Sequence, residues 1–243
     1  MLANGDIGDG RMPTEEVLVD YVLRECAYTK DLSGKKVLIT AGATREAIDP
    51  VRFITNHSSG KMGVALARAA MLRGADVTLV HGHMDVDAPR FVKTVPIVSA
   101  KDMFDAVTAI APQCEIVIKA AAVADYTPFS VADHKIKKSD ADMSIPLCRT
   151  DDILKYLGEH KAAGQILVGF SMETENVIEN SSKKLRTKNC DMICANSIAT
   201  SGAGFGVDTN ILTLITEKET TQLKKMSKDS AAHEILTKIN TII

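Results

Sequence analysis

The stretch AGATREAIDPVRFITNHSSGKMG, residues 41–63, gathers Thr44, Arg45, Glu46, Asp49, Arg52, Asn56, His57, Ser58 and Ser59 into one polar segment. It follows the apolar run Val37-Leu38-Ile39 and leads into a helical pattern of Val64, Leu66, Ala67 and Ala70. In open α/β folds the junction of a strand and a helix N-terminus is where backbone N–H groups and the helix dipole meet phosphate. Ser58, Ser59 and Gly60, ahead of Lys61, are small or polar residues that let backbone amides approach an anion closely. They read equally as a solvated loop in which Ser58 or Ser59 caps the helix. Neither standard phosphate fingerprint is present. The Walker spacing has Thr55 where its first glycine belongs and Met62 in place of Ser or Thr, and no G-x-G-x-x-G follows the first strand.

Four further groups carry chemistry. Ala120, Ala121 and Ala122 leave room for a flat ligand against the backbone, and Asp125 just beyond them suits a sugar hydroxyl, a base amine or a metal ion, or else is a turn residue. Lys135, Lys137 and Lys138 offer point charges that could close over a triphosphate, although such runs are usually just solvated. Phe170 ends the run Val168-Gly169-Phe170 and suits stacking on a base as well as core packing. Lys184 and Lys188 share a helix face at i, i+4, where unrelieved like charges point to an anionic partner or to solvent. The six histidines have no ligand spacing, and the five cysteines contain no C-x-x-C, so no catalytic histidine, metal cluster or disulfide is expected of them.

The elements that must hold these residues alternate. A helix opens at Pro13-Thr14-Glu15-Glu16, and strands are expected over 37–40, 77–80, near 92–98, and over 116–123, 143–147, 166–170 and 192–195. Helices fall over 61–73, 101–110, 151–159, from Thr174 to about Lys188, and over 229–239. That alternation predicts an α/β fold, a Rossmann-like doubly wound, mainly parallel sheet flanked by helices. The pair 211–216 and 221–225 reads as an antiparallel hairpin at the sheet edge. Two connections, 43–59 and 124–141, are too long for simple turns and are expected to be functional.

The 243 residues, 45% hydrophobic and 25% charged with a net charge of −2, describe an ordinary globular protein with a real core. A basic surface for nucleic acid is lacking, and no run reaches the roughly 20 apolar residues that span a bilayer. The start MLANGDIGDG lacks the regions of a signal peptide, so a cytoplasmic protein is expected, with no nucleic-acid or membrane partner.

In their order and spacing, AGATREAIDPVRFITNHSSGKMG, AAVADY, the KIKK run, VGF and KKLRTKNCDMICAN resemble the phosphopantothenoylcysteine synthetase family of coenzyme A biosynthesis, from about Lys35 to the C-terminus. The resemblance implies a two-step ligase. The carboxylate of phosphopantothenate attacks CTP to give an acyl-cytidylate and pyrophosphate, and the cysteine amine then displaces CMP. Mg²⁺ and CTP, rather than ATP, are implied by the bacterial-type AAVADY and KIKK. Carried onto this chain, Ala120, Ala121, Asp125, Lys135, Thr150, Asp151, Asp152, Ile153, Phe170, Lys184 and Lys188, with Ser58, Ser59 and Gly60, would hold the nucleotide. Arg52, Asn56 and Ala122 would bind phosphopantothenate, and Asp125 would be the metal ligand. Lys135 would stabilise charge in the first step, and Asn56 would hold the acyl-cytidylate for attack by the amine.

Residues 3–12, ANGDIGDGRM, resemble the C-terminal tail of the flavin-dependent decarboxylase that precedes this synthetase in fused bacterial proteins, with Asn4 where that family has a proton-donating Cys. Residues 1–34 are therefore expected to be a remnant of that tail plus a linker helix, and 35–243 the synthetase domain, with FMN confined to the missing decarboxylase domain. Family members are dimers, so a homodimer is implied, through the 211–225 hairpin or the 143–147 strand. Two rivals remain. An NAD(P)-dependent oxidoreductase has against it the missing glycine fingerprint and the lack of Lys four residues after any of Tyr21, Tyr28, Tyr126 and Tyr156. A non-catalytic nucleotide-binding regulatory subunit would keep the pocket without turnover.

Overall fold

A computed structural model of the chain describes residues 12–138, 142–173, 175–197 and 209–242. In chain order, α1 (Glu15–Cys26) is followed by β1 (Lys36–Ala41), a hairpin of β2 (Arg45–Ala47) and β3 (Phe53–Thr55), α2 (Lys61–Leu72), β4 (Asp76–His81), β5 (Lys93–Pro96), α3 (Ala100–Ile110) and β6 (Ile116–Lys119). Then come β7 (Tyr126–Pro128), β8 (Leu147–Arg149), α4 (Ile153–Glu159), β9 (Ile166–Glu173), α5 (Val177–Thr187), β10 (Met192–Ser197), β11 (Thr209–Asn210), β12 (Leu212–Thr216), β13 (Thr220–Gln222), β14 (Met226–Ser227) and α6 (Lys228–Asn240).

The apolar runs become the parallel core of an eight-stranded sheet, ordered β13-β12-β10-β9-β6-β1-β4-β5. β5, β4, β1, β6, β9 and β10 are parallel, and β12 and β13 extend the sheet antiparallel. The chain enters at β1, moves outward to β5, then returns to the other side of β1 for β6. The order therefore reverses between β1 and β6, and in such sheets ligands bind in the crevice outside the carboxyl ends of these two strands.

Strand residues alternate between two cores. Val37, Ile39, Ile116, Ile118, Val168, Met192 and Cys194 pack with α2 and α6, whose small Ala65, Ala67, Ala69, Ala70, Ala231 and Ala232 let the helices lie close. Leu38, Val80, Val117 and Leu167 pack on the other face with Met103 and Val107 of α3 and Ile153 and Leu157 of α4. Ser99 and Asp102 close a capping box at the start of α3.

The expected elements are present, with several shifted bounds. β6 stops at Lys119 rather than at residue 123, because Ala121 N–H turns to Thr40 Oγ1 (3.1 Å) and Ala122 N–H to Gly42 O (2.8 Å). The strand expected over 143–147 lies instead at Leu147–Arg149, paired antiparallel with β7. Pro146 just before it has no N–H, and its carbonyl accepts from Phe129 N (2.9 Å). β9 runs on to Glu173, so Phe170 sits inside the strand instead of ending it. The second hairpin strand is Thr220–Gln222, shorter than 221–225. Thr174, the expected start of α5, lies outside the described residues, as does the decarboxylase-like tail up to Arg11.

Candidate active site at the switch point

Gly42, directly after β1, has φ +75°, and a Cβ there would sit 2.3 Å from His83 O. Gly60, φ +74°, would place a Cβ 2.6 Å from Met84 Cγ, and Gly63 would place one 2.5 Å from Ala41 Cβ. A tight turn after the first strand, close backbone approach and close helix-to-strand packing are the three jobs of the dinucleotide glycines. Here they are divided by the inserted β2–β3 hairpin, which is why no linear fingerprint exists. The helix cap also differs from expectation. Gly60 is the N-cap of α2 and offers no side chain, while Ser58 Oγ accepts from Gly60 N (3.3 Å) instead of from the helix.

The first turn of α2 therefore presents backbone amides to a cavity of about 160 Å³. Ser58, Ser59, Gly60, Lys61, Met62 and Gly63 form one wall, Ala120, Ala121 and Ala122 another, and Phe170, Ser171, Met172, Asn196, Asn210 and Lys228 the rest. Asn196 and Asn210 are 5% and 4% exposed, and the Oδ1 atom of each is buried without a hydrogen-bond partner among the described residues. A buried acceptor left unmet costs free energy, so this wall is suited to a ligand that brings hydroxyl or amine donors.

Backbone stitching fixes the rim. Ala43 exchanges hydrogen bonds with His83 (3.0 and 2.9 Å), and Ala124 N donates to Thr44 Oγ1 (3.0 Å), so the segments after β1, β4 and β6 are tied together. The hairpin is tied in by buried Glu46, whose Oε1 accepts from Ala100 N (2.9 Å). Asn56 is exposed and donates Nδ2–H to Val123 O (3.0 Å), beside the alanine wall. Arg52 is held by buried Asp49 at 3.0 and 2.6 Å and donates to Ile136 O (3.0 Å), while Ile136 N donates to Asp49 Oδ2 (3.1 Å). The Arg52 guanidinium and these amides hold the Asp49 carboxyl well below the usual carboxylate range. This knot anchors the segment carrying exposed Lys135, whose neighbour is Ile136.

On the other face of the sheet, Asp152 caps α4 by accepting from Lys155 N (2.9 Å), and it pairs with Lys188. Lys184 stands 3.6 Å from Glu173. The expectation of unrelieved like charge on α5 is thus corrected, since each lysine has its own carboxylate. Thr150 donates Oγ1–H to Ala124 O (2.6 Å), and its N–H to Asp125 O (3.1 Å), which leaves the Asp125 side chain exposed at the rim.

Residues 32–242 match the family model described as DNA/pantothenate metabolism flavoprotein C-terminal domain. The chain belongs to that family. The Coenzyme A biosynthesis bifunctional protein CoaBC of Bacillus subtilis (strain 168) is 49% identical over 242 residues, 98% of this chain and 59% of that protein. The chain thus spans less than two thirds of that relative's length. A Cysteine/Cysteine sulfinic acid decarboxylase of an unknown prokaryotic organism is 43% identical, covering 100% of this chain and 69% of that protein. The crystal structure of the C-terminal domain of a CoaBC superposes with a TM-score of 0.76 at 46% identity, covering 88% of this chain and 98% of that one.

Within this flavoprotein C-terminal domain most of the predicted site residues fall into three groups. Ser58, Ser59, Gly60, Ala120, Ala121, Ala122 and Phe170 meet in the cavity. Asp152 pairs with Lys188 at the start of α4 and Lys184 stands by Glu173 at the end of β9, while Lys135 and Arg52 belong to the Asp49 knot. Sequence reasoning missed Gly42, Gly63, Asn210 and Lys228. The positive φ of Gly42 and the short approach of Gly63 have no linear signature, and Asn210 and Lys228 reach the cavity only through the fold.

Proposed function

We propose that this chain is a phosphopantothenate–cysteine ligase that uses CTP to join 4'-phosphopantothenate and L-cysteine. The observation that carries the reading is the uncapped α2 N-terminus on a cavity at the switch point, in a chain 46% identical over 98% of a CoaBC C-terminal domain. A carboxylate oxygen of phosphopantothenate attacks the α-phosphorus of CTP, pyrophosphate leaves, and the acyl-cytidylate forms. The cysteine nitrogen then attacks the acyl carbon, its proton departs, and CMP leaves. The α2 amides and the Lys135 ammonium offset phosphate charge, Asn56 holds the acyl-cytidylate beside the alanine wall, and Arg52 lies toward phosphopantothenate.

Mg²⁺ would arrive with CTP, mostly held by its phosphates, which fits a site where the Asp125 carboxylate is exposed and no cluster of three ligating side chains exists among the described residues. Residues 35–243 would be the catalytic domain and 1–34 a tail and linker from a flavin-dependent decarboxylase domain in the full-length protein. Action in the cytoplasm accords with the absence, among the described residues, of any helix long and apolar enough to cross a membrane. The reading includes a homodimer formed through the β7–β8 ribbon, where Tyr126, Phe129 and Leu147 are exposed. The C-terminal hairpin is the poorer edge, since exposed Lys218 and Lys224 flank β13.

The test is pyrophosphate release by the purified chain with phosphopantothenate and Mg²⁺, with CTP or ATP, with and without cysteine. Release with CTP, and an acyl-cytidylate that disappears on adding cysteine, is the expected result. CTP binding without release supports a regulatory subunit, NADPH binding supports an oxidoreductase, and CO₂ release from cysteine alone supports a decarboxylase.

A further inference from the structure

Lys119 is the last residue of β6, one of the two strands that border the switch point. Strand alternation sets its side. Ile116 and Ile118 face the core with α2 and α6, whereas Val117 faces α3 and α4, so Lys119 emerges beside the first turn of α4. Its neighbours in register are Thr40 and Gly169, and Leu154 of α4 covers Gly169, approaching to 2.8 Å of where a Cβ would stand. The side chain is half-buried, and it makes no hydrogen bond or ion pair with any described residue. The charges that act on it are the carboxylates of Asp152 and Asp125. Burial pushes its ammonium down to about 8 against those two carboxylates, which leaves it mostly protonated at pH 7.

A poorly solvated cation with no partner is costly, and nothing in the free protein offsets it fully. Asp152, whose charge acts on it more strongly than that of Asp125, is already taken by Lys188. That arrangement is wasteful for the free protein but suits one in which Lys188 is drawn away by an anionic ligand. Asp152 would then be left without a counter-charge at the cap of α4, and breaking a pair by removing one partner is the costly case. We infer that Lys119 is a further positioning residue of the nucleotide site, which takes over the Asp152 carboxylate when Lys188 turns to the phosphates of a bound nucleoside triphosphate. The inference rests on the reading that such a nucleotide binds here. Charge near Asp152 is conserved through the exchange, so α4 keeps its cap while Lys188 is free to move.

Calorimetric titration of Mg²⁺ and CTP into the intact chain and its Lys119→Met, Asp152→Asn and doubly substituted forms tests this exchange. Asn caps a helix about as well as Asp but needs no counter-cation. Lys119→Met should weaken CTP binding about tenfold when Asp152 is present and less than about twofold when it is Asn, a coupling of the size found for residues in one network. Lys119→Arg should restore binding. An equal loss in both backgrounds would mean direct contact with the ligand and overturns the exchange, as does no loss in either. Should Lys119→Met fail to fold, Lys119→Gln takes its place in the cycle. A wild-type chain that binds no triphosphate overturns the ligase reading and this inference together, whereas tight binding indifferent to Lys119 overturns this inference alone.

Discussion

Replacing Lys119 by Met should make the free protein more stable at neutral pH. The methionine keeps an unbranched stem of similar length beside α4 and removes the ammonium. Burial, the dominant influence on this lysine, lowers its pKa from 10.5 to about 8 in the folded state. A difference of that size, at 1.36 kcal/mol for each pKa unit, places the cost of keeping Lys119 charged at about 3 kcal/mol. The sign follows from proton counts. Between about pH 8 and 10.5 the unfolded chain binds this proton and the folded chain does not, so stability rises with pH across that window. Below pH 8 the penalty is present in full. Denaturant titrations of wild type and Lys119→Met at one fixed protein concentration, at pH 7 and pH 10.5, should show the variant ahead by up to about 3 kcal/mol at pH 7 and level with wild type at pH 10.5. A variant no more stable than wild type at pH 7, or a gap that ignores pH, would refute the reasoning. A stabilising substitution that weakens ligand binding is the usual mark of a residue kept for function.

Lys135→Gln should abolish pyrophosphate release, and Asn56→Asp should let acyl-cytidylate accumulate in a quenched reaction; normal turnover by either removes its assigned role. Gly63→Ala would drive a Cβ to 2.5 Å from Ala41 Cβ, so it should cost about 1–3 kcal/mol in denaturant melts and weaken CTP binding by displacing α2. Asp49→Asn should loosen the segment around Ile136, read as faster amide exchange there, and lower the rate of pyrophosphate release. In wild type the Asp49 pKa is depressed, so its contribution to stability is complete above the ordinary carboxylate pKa and is lost only as pH falls well below it. Phe129→Glu, at a side chain 76% exposed on the β7–β8 ribbon, should give monomers by light scattering at micromolar concentration, and an unchanged dimer would move the interface elsewhere.

The fold was legible because its signals are local. Val37-Leu38-Ile39, Ile116-Val117-Ile118 and Ile166-Leu167-Val168 are continuous apolar runs, as strands buried on both faces must be, and helical patterns alternate with such runs along the chain. Errors fell where local propensity competes with a distant hydrogen bond. The run from Ile116 to Val123 reads as one strand, yet Thr40 Oγ1 and Gly42 O capture the amides of Ala121 and Ala122 and end it four residues early. Pairing is equally invisible along the chain: Lys184 and Lys188 look like a cationic face until Glu173 and Asp152 are brought beside them.

The divided glycines show how the three positions can be kept without any linear motif. A dinucleotide fingerprint places its turn, its anion contact and its helix packing within six residues, so nothing else can enter the phosphate cradle from that loop. Separating Gly42 from Gly60 and Gly63 by the β2–β3 hairpin keeps all three positions, because Ala43 and Thr44 are pinned to the segments after β4 and β6. What the insertion adds is reach. It carries Asn56 to Val123 O beside the alanine wall and Asp49 and Arg52 to the backbone of Ile136, so Lys135 is tethered to the same loop that forms the cradle. The groups proposed for the anion and for the acyl chemistry are thereby set on one connected frame, and a substitution in the Asp49 knot should disturb the Lys135 side of the proposed reaction before it disturbs the fold.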